Sequence, residues 1–167
     1  MSTRIARRSA LTLALGIIAM PVPARSASAQ TATQSVTIAV NAINQIAFTG
    51  SPSLTITTAA AGSNPTSVSD ASATWAVTTN QTGAKITASI ASAMPAGVTL
   101  SVSLAAPAGA SSAGSLALGV TAVDLVTGIT KLAQGGLGVT YTLGATPAAG
   151  VVASTSRVVT YTITGGT

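Results

Sequence analysis

The chain reads as an all-β protein: one antiparallel β-sandwich of about eight short strands, preceded by a cleaved signal peptide. Three observations lead there. Apolar and polar residues alternate at period two in several stretches, most cleanly Val98, Leu100, Val102 and Leu104 against Thr99, Ser101 and Ser103. Such alternation marks a strand with one buried and one wet face. The stretches are rich in Val, Ile and Thr and are separated by Gly, Pro, Asn and Ser clusters, which punctuate strands with turns. The first residues, by contrast, have the layout of an export leader.

Arg4, Arg7 and Arg8 form a basic start, and Ala10–Met20 is an apolar run of signal-peptide length, too short to span a bilayer comfortably. Pro21 and Pro23 end that run, and Ala27-Ser28-Ala29 supplies the small residues a signal peptidase needs. Cleavage after Ala29 divides the chain into a leader, 1–29, and a sandwich domain, 30–167. Removing 29 of 167 residues leaves 138, enough for one core. Arg7-Arg8-Ser9-Ala10-Leu11 also has the look of a twin-arginine signal, so Sec and Tat export both stand. The expected location is outside the cytoplasm: extracellular, cell-surface or periplasmic.

The leader also carries most of the charge. The full chain is +5, but Arg4, Arg7, Arg8 and Arg25 precede the cleavage point. Lys85, Lys131 and Arg157 then face Asp70 and Asp124, a net +1. Three scattered cations make no phosphate-binding stripe, so nucleic acid is not an expected partner. No second long apolar run follows the leader, and no mature transmembrane segment is expected. The chain has no cysteine, so disulfides cannot staple it and stability must come from core burial and the backbone ladder. Charged residues are only 5% of the chain, against roughly 25% in ordinary soluble domains. Thr and Ser supply the polarity instead, and uncharged faces do little to block association through a sheet edge.

In chain order, Gln30–Gln34 is a polar arm. Val36, Ile38 and Val40 alternate with Thr37, Ala39 and Asn41, and the parity breaks at Ile43 before resuming at Ile46 and Phe48, as at a bulge or a crossing between sheets. Leu54 and Ile56 suggest a short strand, and Ala59–Thr66 a loop. Asp70–Ile90 reads as a β-hairpin, the organising element of the domain. Ala71, Ala73, Trp75, Val77 and Thr79 share one face, Asn80-Gln81-Thr82-Gly83 turns, and Ile86, Ala88 and Ile90 return opposite Lys85, Thr87 and Ser89. Trp75, the only tryptophan, is expected in the core between sheets. Ala91–Gly97 connects to the Val98–Leu104 strand, Pro107–Gly114 is a loop, and Leu116, Leu118 and Val120 mark another strand. Val123, Val126 and Ile129 recur every third residue, which suits one helical turn capped by Asp124, although Gly128 argues against a longer helix. Lys131–Gly136 is a glycine-bearing loop. Val139-Thr140-Tyr141-Thr142-Leu143 and Val159-Thr160-Tyr161-Thr162-Ile163 form a terminal strand pair.

Chemistry is hard to build from these residues. Without histidine or cysteine the usual base, thiol nucleophile and transition-metal ligands are missing. Asp70 and Asp124 are the only carboxylates, and both sit where a carboxylate caps a turn. Two acidic side chains do not make a calcium site. A catalytic lysine would need burial to lower its pKa, whereas Lys85 is on an outward parity and Lys131 in a loop. The chain is therefore not expected to be an enzyme, and no catalytic, cofactor-binding or metal-binding residue is expected in it. Asn80-Gln81-Thr82 matches a glycosylation acceptor but also forms the turn, and the turn reading is preferred in a chain with a bacterial-style leader. Thr37, Thr55, Thr57, Thr99, Thr140, Thr142, Thr160, Thr162 and Thr164 make outward threonine rows, which suit an ice-binding or other flat-surface ligand face or plain strand propensity, and the absence of a repeat to regularise them favours the latter.

The leader, the Thr74-Trp75-Ala76-Val77-Thr78 strand and the Val159–Thr164 strand resemble those of small secreted bacterial surface β-sandwich proteins. Fimbrial subunits share the tyrosine-bearing strand near the C terminus, and WxL-type cell-wall domains share a Trp-x-aliphatic strand. The chain departs from them in having no cysteine pair and a single Trp-x-aliphatic motif. The resemblance implies an immunoglobulin- or pilin-like sandwich and a non-catalytic structural or adhesive role at the cell surface. The partner would be another copy or another surface protein, joined by strand addition at an uncovered edge, with Gln30–Val40 and Arg157–Thr164 the candidate donors. The other reading is a secreted ligand- or carbohydrate-binding module, for which Trp75 would be the stacking residue.

Overall fold

The computed structural model describes residues 26–167. The basic and apolar parts of the proposed leader therefore lie outside the described residues. Ser26–Ile38 and Ala39–Thr167 separate into two units. The first has no regular secondary structure and exposes Val36 and Ile38.

The second unit is all-β. Nine strands run in order: β1 (Asn44–Thr49), β2 (Val68–Thr79), β3 (Ala84–Ile90), β4 (Val98–Leu104), β5 (Ser111–Ser112), β6 (Leu116–Ala117), β7 (Val123–Ile129), β8 (Leu132–Ala145) and β9 (Val159–Thr164). They form a five-stranded sheet, β1-β2-β8-β4-β6, and a four-stranded sheet, β5-β7-β3-β9. Every pairing is antiparallel. The inner faces of both sheets supply one core, including Trp75, Val77, Ile86, Val102, Leu104, Leu125, Ile129 and Val139. Each such aliphatic side chain contributes about 1.5–3 kcal/mol by leaving water.

The parities of β2, β3, β4 and β8 are those the alternation predicts. Ala73, Trp75, Val77 and Thr79 face inward from β2, and Ile86, Ala88 and Ile90 from β3. Ala71 does not follow, because the β2–β8 register shifts between Asp70 and Ala73 and rotates the first part of β2. Gly50, just after β1, lies against this bulge. Its φ is +103°, and a Cβ there would stand 2.8 Å from the Ala73 Cα, so only glycine fits.

Four expectations fail. Asp70–Ile90 is not a hairpin: β2 and β3 belong to opposite sheets, and the turn arches from one to the other. The reason is where the turn spends its polar groups. Asn80 Oδ1 accepts from the Ile43 N–H at 2.8 Å and Asn80 Nδ2 donates to the Asn41 carbonyl at 2.7 Å. The Gln81 carbonyl accepts from Lys131 N–H, and Gly83 N–H donates to Thr130 Oγ1. These bonds reach other segments instead of closing a ladder between β2 and β3. Similarly, Val139–Leu143 and Val159–Ile163 do not pair with each other, because β8 and β9 also sit in different sheets. The three-residue recurrence over Val123–Ile129 is strand β7, not a helical turn. Register shifts against β3 around Ile86 let Leu125 and Val126 both point inward. Lys131–Gly136 is not a loop either: β8 starts at Leu132 and absorbs Gly136, at φ +69°, within its length.

Smaller differences concern the weak strands. Val36–Val40 and Leu54–Ile56 lie in no strand. Val120 lies beyond β6 and is 62% exposed. Ala59–Thr66 is a loop closed by a bridge between Ala59 and Pro65.

Candidate functional site

The two sides of the sandwich are built differently. On one side the sheets end in β5 and β6, two residues each, joined directly by Ala113–Ser115. Ser112 Oγ donates to the Leu104 carbonyl at 2.7 Å and accepts from Gly114 N–H at 3.1 Å. This stitch carries the chain from one sheet to the other and covers the middle of β4 and of β7 with two-residue strands. On the opposite side the outermost strands are β1 and β9, six residues each, with no hydrogen-bonded neighbour on their outer edges among the described residues. Natural edges are usually guarded by lysine, proline or a bulge. Asn44–Thr49 and Val159–Thr164 contain none of these and no charge.

Between these edges the core opens into a cavity of about 790 Å³. Ile46, Phe48, Leu54, Met94, Val159 and Tyr161 are among its walls. In β1 the inward residues Asn44, Ile46 and Phe48 are only half-buried, as are Val159, Tyr161 and Ile163 in β9. Side chains at the middle of the sandwich are sealed, as at Trp75, 1% exposed, while Leu116 and Val123 towards the other side are half-buried like those of β1 and β9.

All four aromatic side chains lie along this opening and behind it. Phe48 stacks on Tyr161 with ring centroids 3.9 Å apart, and on Trp75 at 6.0 Å. Tyr141, on β8, and Tyr161, on β9, share a hydroxyl–hydroxyl bond of 2.6 Å that ties the two sheets together. Burial, then the Tyr141 hydroxyl beside it, holds the Tyr161 phenol well above its ordinary range. Trp75 Nε1 donates to the Ala105 carbonyl at 3.2 Å, so the indole is a satisfied core group.

Arg157 is the only charged residue in the cavity wall. Its Nη1 donates to Thr155 Oγ1 at 3.0 Å and to the Ser156 carbonyl at 3.1 Å, while Nε is buried with no partner.

The remaining ionisable residues lie elsewhere. Asp70 accepts from Ser72 Oγ, Ser72 N–H and Ser53 N–H at 2.6, 2.8 and 2.9 Å, and these bonds lower its pKa, the Ser72 hydroxyl most. It does not cap a turn at a strand start: β2 begins at Val68, and Asp70 accepts these bonds within the strand, at the β2–β8 register shift. Asp124 caps nothing. It pairs with Lys85 at 3.0 Å on the outer face of the four-stranded sheet, with both side chains about half exposed. Lys131 stands at the β7–β8 corner with φ +42°. The structure brings none of these together with Trp75. No cluster of three or more His, Cys, Asp or Glu suited to a metal exists among the described residues.

Sequence reasoning named Phe48 and Tyr161 as apolar-parity residues but not as neighbours. Their shared feature, one aromatic on each edge strand, becomes visible only once β1 and β9 are known to end the two sheets on the same side. No protein-family model, curated protein or solved structure matches the chain.

Proposed function

We propose that the chain is an exported, non-catalytic structural or adhesive protein of the cell surface, and that it self-associates by adding a β-strand at the β1/β9 side. The observation that carries this reading is the pair of long, uncharged, unpaired edges whose inward side chains are only half-buried. A strand laid there satisfies a row of backbone N–H and C=O groups and covers half-buried core residues in one step. The low charge of the whole chain removes the usual electrostatic barrier to such contact.

Sedimentation velocity over a wide concentration range tests it, with the N terminus of the purified chain read by mass spectrometry. Concentration-dependent oligomers are expected. Ala47→Lys with Thr162→Lys places charges on exposed positions of both edges and should weaken association at least about tenfold, or 1.4 kcal/mol. A strict monomer at the highest concentration refutes the reading.

The second reading, a ligand- or carbohydrate-binding module, draws on the cavity volume and the unpaired Arg157 Nε. Its aromatic platform is poor: Trp75 is sealed, and Phe48 and Tyr161 occupy each other's faces. A shift in intrinsic fluorescence on glycan addition would favour it.

A further inference from the structure

We infer that the cavity beside Arg157 binds a small amphiphilic carboxylate, the guanidinium holding the acid and the apolar wall holding the hydrocarbon. The inference rests on the ligand-binding reading above, names the class of that ligand, and does not depend on strand addition.

The cavity has two kinds of wall. Leu54, Met94, Leu143 and Val159 offer half-buried apolar surface, and Phe48 and Tyr161 stack beside them. Serine and threonine side chains of two segments, 52–55 after β1 and 154–157 before β9, add hydroxyls. A volume of about 790 Å³ lies within the range of small-molecule sites, about 300–1,000 Å³, which combine apolar walls with a few placed polar groups.

The wall groups left without partners are donors. Arg157 is half-buried and permanently cationic. Its Nη1 is bonded to Thr155 and Ser156, but Nε is buried with no partner. No carboxylate neutralises it. The one ion pair among the described residues is Lys85–Asp124, and Asp70 is bonded to Ser72 and to the Ser53 N–H. A cation withdrawn from water without a counter-charge is unfavourable, and a carboxylate matches a guanidinium with two acceptor oxygens. The tyrosines supply a further donor. Tyr141 and Tyr161 both line the cavity and carry two hydroxyl hydrogens between them, of which their mutual bond uses one. An occupant with acceptors and negative charge at one end and hydrocarbon at the other suits both walls. A neutral sugar ring does not, because it leaves Arg157 without a counter-charge and sets hydroxyls against Leu54, Met94 and Val159.

The test titrates the purified full chain, dilute enough to sediment as single copies, with octanoate and with octanol by calorimetry. Octanoate should fill one saturable site, and octanol should bind at least about tenfold more weakly. Arg157→Gln should weaken octanoate by about the same factor and leave octanol unchanged, with a urea midpoint confirming the fold. A measurement on the unaltered chain serves should that variant misfold: the bound carboxyl group of labelled octanoate, followed by NMR, should stay ionised to lower pH than the free acid. Equal affinity for octanoate and octanol overturns the charge contact, as does a bound carboxyl that titrates like the free one. Octanoate binding untouched by Arg157→Gln overturns this cavity as the site. Saturable binding of a glycan without binding of octanoate overturns the ligand class while leaving the ligand-binding reading standing. Binding of neither overturns both.

Discussion

Tyr161→Phe removes one of the two hydroxyls that join the sheets, and a double-mutant cycle with Tyr141→Phe measures what that bond contributes. The hydroxyls are 2.6 Å apart, Tyr141 is 9% exposed, and Tyr161 lines the open side of the sandwich. The phenylalanine ring preserves the Phe48 stack, so the substitution isolates the polar contact. A net hydrogen bond is worth about 0.5–1.5 kcal/mol, and a hydroxyl left unpaired in a buried site costs about 1–3 kcal/mol. Because the cavity admits water to the stranded group, the expected loss for either single variant is about 1–1.5 kcal/mol. That corresponds to a fall in Tm of about 4 °C for a domain of this size. The double variant removes both polar groups and strands neither, so it should cost little more than one single variant. The coupling energy should be about 1 kcal/mol. Urea denaturation of the four proteins at pH 7 reads it, and an unchanged slope would show that only stability has moved. Additive single costs, within about 0.3 kcal/mol, would mean that the hydroxyls do not bond and that the sheets meet differently at this edge.

The raised Tyr161 pKa makes alkaline stability a second readout. The unfolded phenol releases its proton near pH 10 while the folded one holds it, so stability is complete below about pH 10 and falls as pH rises further. Denaturation midpoints followed from pH 8 to 11 should show that decline, and Tyr161→Phe should flatten it. Leu125→Ala, at a position with 0% exposure between the sheets, should cost about 2–5 kcal/mol in equilibrium unfolding; a cost below about 1 kcal/mol would place Leu125 outside the core. Gly50→Ala meets both a positive φ and the Ala73 Cα, and should destabilise by more than about 1 kcal/mol, seen as a lower thermal midpoint. The same substitution at Gly109, where φ is +77° but the space is open, should cost less.

The open side also explains why the molecule's few aromatic residues gather where they do. Strands at the end of a sheet have one neighbour, so their inward side chains cannot be sealed by lateral packing. Large flat rings compensate by covering area across the gap, as Phe48 and Tyr161 do from opposite sheets.

Strand identity and facing are carried by consecutive residues, which is why Val98–Leu104 and the inward row of Trp75, Val77, Ile86, Ala88 and Ile90 could be read from the chain alone. The pleat repeats every two residues, and the apolar set must lie on one side of it. The same logic places Trp75 inside and Lys85 outside. Which strands lie side by side is a different quantity. An alternating strand, a turn and another alternating strand have the same pattern whether they pair in one sheet or face each other from two. Only the bonds of Asn80, Gln81 and Gly83 to Ile43, Lys131 and Thr130 select the arch, and those partners lie tens of residues away. Bulges hide likewise: Leu125 and Val126 both turn inward because β7 slips against β3, an event no single-strand period records. The open edge is the furthest removed from local pattern, since β1 and β9 become its two lips only when both sheets have been ordered.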